Sequence, residues 1–119
     1  HAISHMVGAE YDTQHGLTNA IILPSVLRYN APSIEAKVAP MAQAMGLQAT
    51  DFDAFYDGIC ALLDELDIPK TLTEIGASSD CAPRIAAKAL KDSAAETNPR
   101  PLTQDTMERL VKDALNVGR

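Results

Sequence analysis

An all-α fold, a multi-helix bundle, is the class this sequence predicts, and three observations predict it. Apolar residues make up 46% of the 119-residue chain, but much of that is alanine, aromatic residues are only 4%, and tryptophan is absent. Helices packed closely through alanine and leucine fit that composition better than a β-sandwich does. Apolar residues also recur at three- and four-residue steps, most clearly at Phe52, Phe55, Ile59, Leu62, Leu63 and Leu66, the period of an amphipathic helix. No segment reads convincingly as a strand. A chain of this length is one domain's worth, residues 1–119, with a real though modest core.

Each element has a local reason. Residues 1–7 read as a helix and 8–16 as a loop containing Gly8 and Gly16. Leu17 to Tyr29 reads as an apolar helix bent at Pro24, where an amide donor is lost. Asn30-Ala31-Pro32 should end it, because the residue before a proline disfavours the helical basin. Ser33 can cap the next helix, which passes Val38, Met41 and Met45 to Gly46, with Pro40 as a kink. Asp51 opens the strongest amphipathic stretch and Pro69 closes it. Asp53, Asp57, Asp64, Glu65 and Asp67 fall mainly on its other, solvated faces. Residues 71–76 read as a turn. Ser79 or Asp80 can cap a helix through Ile85, Ala89 and Leu90, with Pro83 tolerated in its first turn. Asn98-Pro99-Arg100-Pro101 is a stiff connector, Arg100 being solvated by default. Thr103 caps a last helix carrying Met107, Leu110, Val111, Ala114 and Leu115.

Charge and composition exclude several function classes. Ten basic residues against sixteen acidic ones give a net charge of −6, which repels a phosphate backbone, and the basic residues are scattered. Nucleic-acid binding is therefore not expected. The longest apolar run, residues 20–24, is far too short to cross a bilayer, so no membrane partner is expected and the location read from the sequence is cytoplasmic. Cys60 and Cys81 lack CxxC spacing, and Cys60, among Ile59, Ala61 and Leu62, reads as a small buried hydrophobe. The six glycines are too dispersed for GxGxxG or a phosphate loop, so nothing here positions a dinucleotide.

Reactive groups concentrate at the start. His1, His5 and His15 are the only histidines, and imidazole is the commonest protein ligand for a transition metal as well as a proton-transfer group. His1 and His5, four apart, share one face of a helix, and a loop must bring His15 back to them. A zinc-protease motif would put glutamate directly after the first histidine; Ala2 stands there, so that reading fails. Glu10 and Asp12 are possible oxygen ligands, though a solvated loop suits them better. Two further readings stay open on the residues alone: an autonomous metal-binding helical domain using Glu10 or Asp12, and a small acidic helical interaction module whose histidines are incidental.

The pattern HxxxHxxG, six residues, then HGxxNAxxLPxVxxYN runs from His1 to Asn30. It resembles one segment of the iron-containing (group III) alcohol dehydrogenases. The fold this implies is that of their C-terminal metal-binding domain, the dehydroquinate synthase-like helical fold. Gln14 stands where many members have proline, and Gly8-Ala9 where many have two glycines. Asn19-Ala20 and Leu23-Pro24 look more like the alcohol and diol branch than the glycerol branch.

The resemblance implies a metal-dependent oxidoreductase passing hydride between a primary alcohol or diol and NAD or NADP. His1 and His15 correspond to two of the family's four metal ligands, the ion being iron(II), or zinc in some relatives. His5 corresponds to the histidine beside the nicotinamide, a proton-relay group. The other two ligands and the nucleotide-binding half lie upstream in such enzymes. On that reading the chain is the C-terminal part of a larger two-domain enzyme, inactive alone, whose full-length form is a homo-oligomer acting on a small alcohol or aldehyde.

Overall fold

A computed structural model describes residues 1–119, and it contains helices and no strand. The elements are α1 (Ala2–Tyr11), α2 (His15–Ala44), α3 (Phe52–Glu65), a 3-10 turn (Leu72–Ile75), α4 (Ala82–Ala89), α5 (Ser93–Glu96) and α6 (Gln104–Asn116). No helix is long and apolar enough to cross a membrane. The main core lies where α1, the first half of α2, α4 and α6 meet, around Ile3, Val7, Ile21, Ile85, Met107 and Leu115. A smaller core joins the second half of α2 to α3 through Ile34, Val38, Ala42 and Phe55.

The caps expected at Asp51 and Thr103 are present. Asp51 accepts from the Ala54 amide at 2.8 Å, and Thr103 accepts from the Thr106 amide at 3.2 Å while its own amide donates to the Thr106 hydroxyl. Each satisfies a backbone donor that the first helical turn leaves free. Cys81, not Ser79 or Asp80, occupies the N-cap of α4 and makes no side-chain cap bond. Cys81 is also the buried thiol; Cys60 is half-buried, and both are free.

Two boundaries differ from expectation. Helix α1 does not stop at Gly8 but runs to Tyr11, and Asp12 closes it in the left-handed conformation (φ 55°) with its amide on the Gly8 carbonyl. The last turn is tied to α4, because Arg84 holds Glu10 and also donates to the Tyr11 hydroxyl at 2.8 Å. That contact outweighs the roughly 1 kcal/mol glycine costs inside a helix. The second difference is larger. The break expected at Asn30-Ala31-Pro32 is absent, and α2 runs unbroken for 30 residues through Pro24, Pro32 and Pro40.

The 98–101 connector explains this. Buried Asn30 and Asn98 exchange two side-chain hydrogen bonds, at 2.9 and 2.8 Å. Arg100 donates to the Tyr29 carbonyl at 2.8 Å, and the Tyr29 hydroxyl donates to the Pro101 carbonyl. Four groups thus clamp α2 at the point where proline's local preference would open it. Arg100 is correspondingly not a freely solvated arginine: its guanidinium lies 4.4 Å from the Tyr29 ring centroid, a cation–π distance.

The apolar stripe of α3 is only partly covered. Phe55 and Leu63 are buried, whereas Leu62 and Leu66 are 48% and 60% exposed.

Candidate metal centre

The first turns of α1 and α2 build the site. His1 is the N-cap of α1, and its carbonyl accepts from the His5 amide at 2.8 Å, so the two imidazoles stand one turn apart. Gln14 caps α2: its side-chain oxygen accepts from the Leu17 amide at 2.6 Å, which fixes His15 as the first helical residue. The departure from the family pattern at residue 14 therefore has a local role. Behind His15, buried Thr18 donates to the Gln14 carbonyl and lies 2.7 Å from the Thr13 hydroxyl, tightening the short 12–14 link.

All three histidines come together. Ring centroids are 6.1 Å apart for His1 and His5, 5.4 Å for His1 and His15, and 5.5 Å for His5 and His15. One nitrogen from each lies within 4.8 Å of the others, and all three residues are exposed. Nitrogens sharing one ion stand about 3–4 Å apart, given metal–nitrogen bonds of about 2.0–2.1 Å. Small ring rotations at exposed side chains cover the difference. Imidazole nitrogens suit iron, zinc and related divalent ions, so the donor set fits such an ion. Glu10 and Asp12 do not join it, the first turned to Arg84 and the second closing α1.

Neighbouring polar groups aim the rings. The Asn19 amide nitrogen lies 3.0 Å from His15 Nε2 and 3.5 Å from His1 Nδ1. His5 Nδ1 is 2.8 Å from an Asp92 oxygen. The Ala94 amide, which Asp92 caps, holds the Asp92 carboxyl below the usual carboxylate range, and His5 adds to the effect. Asp92 therefore stays ionised across the neutral range. This residue escaped the sequence reading, although Asp92-Ser93 before Ala94-Ala95-Glu96 carries an N-cap signal for the short α5. Beside the histidines a cavity of about 420 Å³ opens between Ile22, Leu23, Val26, Ala94, Asn19 and Asn98.

The family model for the C-terminal region of Fe-containing alcohol dehydrogenases matches residues 1–115. The chain belongs to the iron-containing alcohol dehydrogenase family. Among relatives, it is 33% identical over 120 residues to the lactaldehyde reductase of Escherichia coli (strain K12), covering 96% of this chain and 31% of that protein. It is 34% identical over 120 residues to the 1,3-propanediol dehydrogenase of Klebsiella pneumoniae, with the same shares of each. Its fold superposes on the crystal structure of a 1,3-propanediol oxidoreductase with a TM-score of 0.90 at 31% identity, over 97% of this chain and 32% of that one. The chain thus spans about a third of the length of these iron-containing alcohol dehydrogenase relatives, and its all-helical fold is that of the family's C-terminal domain.

Proposed function

We propose that these 119 residues are part of the metal-binding region of a dehydrogenase that interconverts a small primary alcohol or diol and its aldehyde using NAD or NADP. The convergence of His1, His5 and His15, with His1 and His5 lining an adjoining cavity, carries this reading. His1 and His15 would hold an iron(II) ion. When bound, it supplies a Lewis acid for the substrate oxygen. His5, whose Nδ1 is occupied by Asp92, would use its other nitrogen to move the substrate proton beside a bound nicotinamide. The apolar cavity wall of Ile22, Leu23, Val26 and Ala94 excludes water from a short carbon chain, and Asn19 and Asn98 offer hydrogen bonds to a second hydroxyl. The nucleotide-binding half lies outside this chain, in keeping with the share of the relatives' length it spans.

The complete gene product, purified with iron(II) in the absence of oxygen, is expected to reduce NAD or NADP in the presence of 1,3-propanediol. A protein with a full complement of iron that turns over no primary alcohol or diol would overturn the proposal. Asp92 is assigned a positioning role through His5. Asp92→Asn keeps a residue able to cap Ala94, so the fold should change by only a few tenths of a kcal/mol. Losing the charge beside His5 should lower kcat by roughly 10–100-fold, as removing the outer hydrogen-bond partner of a metal-bound histidine does, with KM little changed. An equal loss in protein stability and kcat would instead mark Asp92 as merely structural.

A further inference from the structure

On the side of α2 carrying Ser25, Arg28 and Tyr29, a second cavity of about 440 Å³ opens against α6 and the 98–101 connector. Its lining includes three guanidinium groups, Arg28, Arg100 and Arg109, and a single carboxylate, Asp113. This is a local reversal of sign in a chain whose net charge is −6. We propose that this cavity is a binding site for a small phosphate monoester, independent of the histidine centre.

The donors there are set in place and only partly used. Arg28 is matched by Asp113 at 2.5 Å and also donates to the Gly118 carbonyl at 3.0 Å and to the Tyr56 hydroxyl. That pairing consumes the only carboxylate. Arg100 lies over the Tyr29 ring and spends one N–H on the Tyr29 carbonyl, leaving the others free of the five a guanidinium carries. Arg109 meets only Asp105, one turn away on α6 at 2.9 Å, in a pair exposed on both sides and so weak enough to be released. Arg100 has no carboxylate partner and Arg109 has only the solvent-exposed Asp105, which leaves the lining net positive and suits an anion. Planar guanidinium groups recognise phosphate oxygens in pairs.

Ser25 supplies the second, independent observation. It is 2% exposed, lines the cavity, and its Oγ is the buried side-chain polar atom with no hydrogen-bond partner. Such an atom is costly to leave unpaired. Rotation of the Ser25 side chain toward the cavity would let its Oγ donate to a phosphate oxygen held by Arg100 and Arg109, and would satisfy it. The cavity volume lies within the range of small-molecule sites, with room for an organic group beyond the phosphate.

The test is titration of the complete gene product with glycerol phosphate, inorganic phosphate, acetate and glycerol, followed by amide chemical shifts. Both phosphates should give saturable shifts centred on Ser25, Tyr29, Arg100 and Arg109; acetate should bind at least about tenfold more weakly and glycerol not at all. Arg109→Gln, at an exposed side chain that the fold does not need, should weaken phosphate about tenfold. Lys37→Gln, the same charge change on an exposed part of α2, should leave it unaltered. Ser25→Ala should weaken phosphate binding yet raise the unfolding midpoint of the phosphate-free protein by a few degrees, because it removes an unpaired buried hydroxyl. Non-saturable shifts, equal loss in Arg109→Gln and Lys37→Gln, or acetate binding as tightly as phosphate would overturn the proposal.

Discussion

His15→Ala in the complete enzyme should lower iron affinity more than about 100-fold, because even outer partners of metal ligands cost 10–100-fold when removed. Dehydrogenase turnover should fall with it. Apart from His5, which Asp92 engages through Nδ1, His15 has no substitute nearby: Glu10 is engaged by Arg84, Asp12 caps α1, and Asn19 carries only an amide toward the site. His1→Ala should behave the same way if the two residues share one ion. His5→Ala should separate from both, retaining iron while losing about 10²–10⁴ in kcat, the usual worth of a positioned proton-transfer group. Metal content and steady-state rates measured on the same three preparations make the comparison. Equal iron loss in all three variants would assign His5 as a ligand. Full iron retention in His15→Ala would refute the site.

Gly118→Ala is expected to give the largest stability loss of the six glycine-to-alanine substitutions. Gly118 has φ +62°, and a Cβ there would stand 1.8 Å from the Lys70 carbonyl oxygen. The left-handed conformation alone costs a non-glycine residue about 1 kcal/mol or more, and the overlap with backbone cannot be relieved by turning a side chain. Neighbouring contacts make the shift expensive. The Gly118 carbonyl accepts from Arg28, and Arg119, nearly buried, donates to the Ile68 carbonyl at 2.6 Å and to Asp64 at 2.9 Å. Moving residue 118 would therefore loosen the 66–70 segment and the end of α6 together. Chemical denaturation should show a loss of about 2–4 kcal/mol. A change below about 0.5 kcal/mol would show that the turn relaxes freely.

Much of the fold was legible because its signals are local. The stripe from Phe52 to Leu66, with Asp51 before it, is written in residues that neighbour one another along the helix, and so is the Thr103 cap of α6. Other features depend on residues far apart in sequence. Nothing near Pro32 announces that the helix continues, since the groups that hold it there, Asn98, Arg100 and Pro101, lie about 70 positions later. Asp92 escaped notice as a partner of His5 for the same reason, being 87 residues away. Ser25 reads as an ordinary polar residue of an apolar helix, and only burial without a partner distinguishes it.

By itself the sequence determined an all-helical chain, the starts of α3 and α6, and three histidines at a spacing that resembles one dehydrogenase segment. Those follow from side-chain periodicity, capping chemistry and residue identity, which act within a few positions. Tertiary structure decided where α1 ends, that α2 crosses three prolines unbroken, how the imidazoles meet, and which arginines gather around Ser25. Each of these is settled by contacts between distant segments, whose free energy outweighs a local backbone preference of one or a few kcal/mol.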